Sequence, residues 1–295
     1  MTDAASTNDV LRTRAVVTRG TRRPVRPTSA KQWVLSGVGI LILAVMLFPV
    51  YWMINISLQP AGSAIEAAWF PINAQLGGYA QAIADQGGAL VTSLAIALGS
   101  VVVSLLIATP ASYALAQFKV KGINAVLFGI LISQMIPGIV VANALYAAYN
   151  DLGLLNTVPG LILADSTAGV PFAILIMRAF MQNIPPSIIE AAKVDGAGNF
   201  RAFRSVVVPI SANALITAGL FTFLFTWSDF LFALTLTTTE DVRPITLGIY
   251  NYIGTFTADW STVMAAAVMA SIPAIVLLLV AQKFIAAGAT GGAVK

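Results

Sequence analysis

The chain has 295 residues, of which 58% are hydrophobic and only 9% charged, with a formal net charge of +4 and a mean hydropathy of +0.86. That composition excludes a water-soluble surface and points to a bilayer. The chain has no cysteine and no histidine, which excludes disulfides, thiol and imidazole catalysis and the usual zinc sites, and so removes most enzyme chemistries; no catalytic residue and no metal ligand is assigned. The small surplus of bases sits beside long apolar runs, which argues against nucleic acid as a partner.

Residues 1–31 form a basic, Arg-rich N-terminal tail. A hydrocarbon core about 30 Å thick needs about 20 helical residues, and apolar stretches of that length define the spans that follow. The first is expected at about 33–54, "WVLSGVGILILAVMLFPVYWMI", with aromatic residues near both ends. It is too long for the core of a signal peptide and lacks a persuasive cleavage site, so it reads as a retained helix. Further spans are expected at about 89–115, 123–149 and 159–180, with Pro110, Pro137 and Pro171 inside them as kinks. The last two fall at about 210–236 and 262–284, followed by a Gly-rich tail, 285–295. The fold class expected is thus an all-α membrane protein with six transmembrane helices, and no internal repeat is evident.

Orientation follows from the bases. Of sixteen, seven lie in the N-terminal tail, and the others fall at Lys119 and Lys121, at Arg178, Lys193, Arg201 and Arg204, at Arg243, and at Lys283 and Lys295. With six spans, all but Arg243 lie on one side, while the 34-residue loop 55–88 carries none. The positive-inside rule then places both termini in the cytoplasm.

The longest cytoplasmic loop, 181–209, contains "EAAKVDGAGNFRAFRSVVVP", a polar interruption of a greasy chain. Ahead of it, Pro185 and Pro186 end the preceding element. Ser187 with Glu190 three residues on has the form of a capping box. Ile188, Ile189, Ala192 and the stem of Lys193 would cover adjoining sides of two turns. Gly196 can adopt the left-handed conformation that reverses the chain into a second helix from about Asn199. A helix this short is marginal alone and needs a surface to dock on.

This stretch resembles the EAA loop of the permeases of ABC importers: Glu190, Ala191 and Ala192, then Asp195 and Gly196, then Pro209. The resemblance extends to "LGLLNTVPGLILA", "FLFTWSDFLFALTLT", "RPITLGIYNYIG" and "QKFIAAGATGGAVK", which together look like the smaller six-span permease of maltose-type carbohydrate importers. It implies the type I ABC importer permease fold, with a permease domain over 32–284 in a bacterial inner membrane and the EAA segment as a coupling helix seated on an ATP-binding subunit. The partners implied are a second permease, two ATP-binding subunits that carry ATP and Mg, and an external solute-binding protein, with a sugar as cargo. The C-terminal tail, through Gly288, Thr290, Gly292 and Lys295, is implied to reach the ATPase dimer; Ala289 stands where the family has Leu. The family's Trp-Asn-Asp stands here as Trp227, Ser228 and Asp229.

No G-x-x-x-x-G-K-[ST] loop occurs, so ATP hydrolysis is expected on a partner and no cofactor on this chain. Intramembrane carboxylates are costly, roughly 2.5 to 3.5 kcal/mol at a helix centre, which makes Asp165 and Asp229 candidates for the substrate pathway. Asp165 could instead sit at the outer interface, capping a helix restarted near Ser166. Trp227 and Tyr146 are candidate stacking surfaces for a sugar ring, and Ser228 and Asn143 complete the set. Two other readings stand beside the sugar importer: the same architecture carrying a polyol or glycerol phosphodiester, and a proton-coupled secondary transporter using Asp165 or Asp229 as a relay. An anionic cargo would want bases in the pathway, and none lies in the interior of a span.

Overall fold

The computed structural model describes residues 30–60, 68–119, 121–255 and 259–290, and among these every regular element is helical. In chain order they are α1 (Ala30–Ser57), α2 (Gly77–Gln117), α3 (Ile123–Ser133), α4 (Gly138–Leu152), α5 (Val158–Met181), α6 (Pro186–Val194) and α7 (Asn199–Ala202). A π-helical turn, Phe203–Val207, leads into α8 (Val208–Ile210), then α9 (Ala212–Trp227), α10 (Leu231–Leu236), α11 (Ile245–Thr255) and α12 (Trp260–Thr290). Among the described residues four helices are long and apolar enough to cross a membrane, in α1, α2, α5 and α12; the number rises to six if two bent pairs each count as one span.

The bends correct two of the expected spans. Pro137 does not kink one helix: α3 and α4 are separate, meeting at 91° across residues 134–137. A proline lacks the N–H that would continue the ladder and disfavours helical geometry at the residue before it, here Ile136. Pro110 and Pro171, by contrast, lie within unbroken helices. The expected fifth span, 210–236, is likewise divided. Residues Asn199–Ile210 meet α9 at 74°, and the helix stops after Trp227 before α10 begins at Leu231. The expected second span begins at Ala89, but α2 starts at Gly77, because the polar stretch "GGYAQAIADQGG" buries Ala82 and Gln86 while presenting little hydropathy.

Contacts divide the chain between Pro49 and Val50. In the first unit the described part of α1 carries exposed large apolar side chains from Trp33 to Phe48, as suits a helix surface in contact with lipid.

In the second unit α2 is the spine on which α5, α9 and α12 pack. Its buried side is a run of small residues at helical spacing: Ala97, Ser100, Ser104, Ala108 and Ser112. Lipid tails are as apolar as leucine, so helices in a bilayer associate through close van der Waals packing and interhelical hydrogen bonds, which small residues permit. Both are present: Ser100 Oγ donates to the Ile162 carbonyl at 3.3 Å and Ser112 Oγ to that of Ile174 at 3.2 Å. Gly169 of α5 marks a close approach of three helices, since a Cβ there would stand 2.6 Å from Ser104 Oγ of α2 and 2.9 Å from Thr222 Cγ2 of α9.

The start of α5 is fixed locally and at long range. Thr157 Oγ1 accepts the Gly160 N–H at 3.0 Å, a side-chain cap with Pro159 in the first turn. Its neighbour Asn156 has φ 59°, a left-handed conformation that asparagine tolerates, and its side chain ties this corner to the segment after α10.

Candidate functional site

At the end of the bundle where α2 and α5 finish, two polar side chains root the following segment. Gln117 Nε2 donates to the carbonyls of Met181 (2.7 Å) and Ile184 (3.3 Å), and Arg178 Nε donates to that of Leu115 at 3.2 Å. These bonds join the C-terminal ends of both helices to the connection that opens α6. No motif in the sequence singled out Gln117 or Arg178; each is a lone polar group at the end of an apolar run.

The α6 segment forms as a short helix, with one correction. The helix begins at Pro186, which occupies the first helical position, so Ser187 lies inside it and makes no cap; Pro185 stands at the cap position with no side-chain bond. Proline's fixed φ is pre-organised for a first turn, where its missing N–H costs nothing. The C-terminus is as expected. Gly196 has φ 86°, its N–H donates to the Lys193 carbonyl at 3.0 Å, and the Ala197 N–H reaches the Ala192 carbonyl at 2.9 Å. This pair of bonds is a Schellman motif, which satisfies the last carbonyls and turns the chain towards α7 at Asn199.

One side of this helix pair is anchored. Ile189 and Ala202 are buried in a cluster with Tyr113, Met177, Met181 and Val207, and Ala192 and Ala197 pack against it. The rings of Phe203 and Tyr113 lie 5.2 Å apart, carrying the contact from the π-helical turn to α2. Of the residues expected to cover adjoining sides of the two turns, Ile188 and Lys193 are exposed. The outward face presents Glu190, Ala191, Asp195 and Gly196 together with two large apolar side chains, Val194 (87% exposed) and Phe200 (74%).

The two intramembrane carboxylates come together. Asp165 and Asp229 line a cavity of about 10 Å³, with Ser93, Thr226 and Pro244 also on its wall; that is room for about one water molecule. Asp165 is not at a helix restart: α5 runs through it unbroken, and it is buried at 7% exposure. The hydroxyls beside it bond back within the same helix, Ser166 to the Ile162 carbonyl and Thr167 to that of Ala164, so the ladder has no break to cap. Asp229 sits in the gap between α9 and α10, where its two oxygens accept the backbone N–H groups of Phe232 (3.3 Å) and Ala233 (3.1 Å).

Of its neighbours, Trp227 is not free to meet a solute, whereas Ser228 is exposed. Trp227 is buried, lies parallel to Phe223 with ring centroids 5.5 Å apart, and donates its indole N–H to the Ala270 carbonyl at 2.9 Å. It is a packing residue between α9 and α12, contrary to its expected place as a stacking surface. Ser228 Oγ donates back to the Leu224 carbonyl at 2.8 Å. Asn143 and Tyr146 are exposed, three positions apart on α4, and do not border the Asp165 cavity. Gly288 and Thr290 fall within the last turns of α12, which runs beyond the expected end of the span at 284, whereas Gly292 and Lys295 lie outside the described residues.

The fold, with its spine of small-residue packing, two bent helix pairs and a short anchored helix ahead of α9, has a counterpart among solved membrane transporters. A bacterial ABC transporter involved in the import of the acidic polysaccharide alginate superposes with a TM-score of 0.73 over 86% of this chain and 98% of that one, at 23% identity. The chain belongs to the family of binding-protein-dependent transport system inner membrane components, whose profile matches residues 108–290. It is 34% identical over 259 residues to the trehalose transport system permease protein SugB of Mycobacterium tuberculosis, covering 86% of this chain and 94% of that protein. It is 32% identical over 254 residues to the diacetylchitobiose uptake system permease protein DasC of Streptomyces coelicolor, covering 85% and 92%.

Proposed function

We propose that this chain and a second, homologous permease form the translocation pathway of an ATP-driven sugar importer, coupled through α6 to an ATP-binding subunit. The observation that carries the coupling is the two-sided construction of α6 and α7. One side is locked to α2 and α5 through Ile189, Ala202 and the Gln117 bonds, and the other exposes Glu190, Val194 and Phe200. A short helix held this way moves with the spans it is rooted in, so a partner gripping its outer face shifts the equilibrium between inward-open and outward-open states. The partner supplies ATP and Mg. The charge bias of the loops supports a cytoplasmic position for α6 and for both termini.

A sugar cargo is supported by the trehalose and diacetylchitobiose relatives and by the absence of bases in the interior of the spans. Asp165 and Asp229 are the pathway residues proposed, with Asn143 and Tyr146 as exposed candidates on α4. The decisive experiment is uptake of a panel of labelled sugars into vesicles holding the complete importer. Uptake should require ATP and the solute-binding protein and persist when the proton gradient is collapsed. Uptake that stops with the gradient and ignores ATP would sink the reading.

A further inference from the structure

At the far end of α2 from Gln117, a helix of 41 residues and so about 60 Å away, lies a second and larger cavity. Its volume is about 340 Å³, and its polar wall comprises Gln59, Gln75, Gln81, Tyr252, Asp259 and Thr262. Small-molecule sites begin at about 300 Å³, so this space suits a ligand of one or two sugar rings.

The wall is built rather than incidental. Gln59, Tyr252 and Thr262 are buried at 8%, 5% and 1% exposure. Tyr252 Oη donates to Asp85 Oδ2 at 2.8 Å, which fixes α11 against α2, and the exposed Gln81 Nε2 donates to the same oxygen at 2.9 Å from one turn earlier in α2. Asp259 Oδ2 accepts the Thr262 hydroxyl at 2.6 Å and Oδ1 that of Ser261 at 2.8 Å. Gln59 Nε2 donates to the Ala68 carbonyl at 3.1 Å. Gly77 and Gly78 bring the start of α2 to the rim without side chains, and a Cβ on Gly78 would stand 3.1 Å from the Ser261 carbonyl carbon.

Carboxamides and carboxylates present paired acceptors or a donor beside an acceptor, the spacing that adjacent hydroxyls of a sugar can meet. Among the described residues lining the cavity there is neither Lys nor Arg, which disfavours an anion. We propose that this cavity is a receiving site for a neutral mono- or disaccharide, occupied after release from the solute-binding protein and before entry into the membrane interior. The inference rests on the sugar-importer reading above, which puts this end of α2 on the external face.

The probe is whichever sugar the intact importer takes up in the vesicle panel. Gln75 and Gln81 are exposed, so Gln75→Ala and Gln81→Ala leave the fold intact. Each is expected to lower kcat/KM for uptake by about fivefold, the worth of one hydrogen bond. ATP hydrolysis without sugar and the affinity for sugar-free binding protein should stay at wild-type values. Unchanged kcat/KM in both variants overturns the site. A loss matched by an equal loss of affinity for sugar-free binding protein also overturns it, making the surface a protein contact. If the wild-type importer takes up none of the sugars, the functional reading and the site fall together; normal sugar uptake by the variants fails the site alone.

Discussion

Asn156 and Thr238, 82 positions apart, are bonded reciprocally: the Thr238 N–H donates to Asn156 Oδ1 at 2.6 Å, and Asn156 Nδ2 donates to Thr238 Oγ1 at 3.0 Å. The same Oδ1 also accepts the Thr239 N–H at 2.9 Å. One side chain thus holds the α4–α5 corner to the segment that follows α10, and Asp229 caps that helix from its other end.

Asn156→Gly keeps the left-handed backbone and removes the bonds, whereas Asn156→Ala loses both. Neutral hydrogen bonds contribute about 1 kcal/mol each, and a left-handed alanine adds roughly 1 kcal/mol more. The expected order of thermal stability of the purified complex is therefore wild type, Gly, Ala. Equal melting temperatures for the Gly and Ala variants would show that the backbone conformation contributes nothing.

Trp227 tests whether an aromatic in the pathway motif meets solute or packs the fold. Trp227→Phe, which loses the bond to Ala270, should cost about 1 kcal/mol. Trp227→Ala, which opens a cavity beside Phe223, should cost about 3 to 5 kcal/mol. Both should lower the melting temperature without altering which sugars residual uptake prefers. A changed sugar preference at unchanged stability would put the ring in the pathway after all.

Gly196 is surrounded by open space: a Cβ added there would meet nothing within 4 Å, so substitution acts only through its φ of 86°. A β-branched residue in that region costs roughly 1 to 3 kcal/mol, while asparagine is tolerated. Gly196→Val should therefore weaken stimulation of ATP hydrolysis by sugar-loaded binding protein, and Gly196→Asn should retain most of it. If the valine variant assembles and is stimulated normally, the α6 turn is not part of the coupling.

Asp259 predicts a pH dependence. Burial pushes its carboxyl up, but hydrogen bonds from Thr262 and Ser261 outweigh that and hold it below the ordinary value of 3.8. The folded state then binds fewer protons than the unfolded chain. The stabilisation is complete above 3.8 and is lost as pH falls through the depressed folded value. Melting temperatures followed from about pH 5 to about pH 3 should fall less steeply in Asp259→Asn than in wild type. Parallel curves would count against this role for the Thr262 and Ser261 bonds.

Much of this protein is legible in its residues taken in order. Apolar runs locate the helices that cross the bilayer, because a single segment must bury or satisfy all its own backbone groups there, whatever its neighbours do. The distribution of Lys and Arg sets the expected orientation, and Gly196 followed by Asn199 marks a turn whose left-handed backbone few residues but glycine accept. These are local properties. Lateral relationships are not local, and they decided the rest. Trp227 and Asp165 are buried because α12 and α2 happen to lie against them, and hydropathy cannot tell a lipid-facing side from a packed one. Pro137 separates two helices while Pro110 and Pro171 lie within unbroken ones, so the residue type alone does not say which proline breaks a helix. The α2 helix extends back to Gly77 because α11 and α12 cover Ala82 and Gln86 there, converting a polar, glycine-rich stretch into the wall of a cavity.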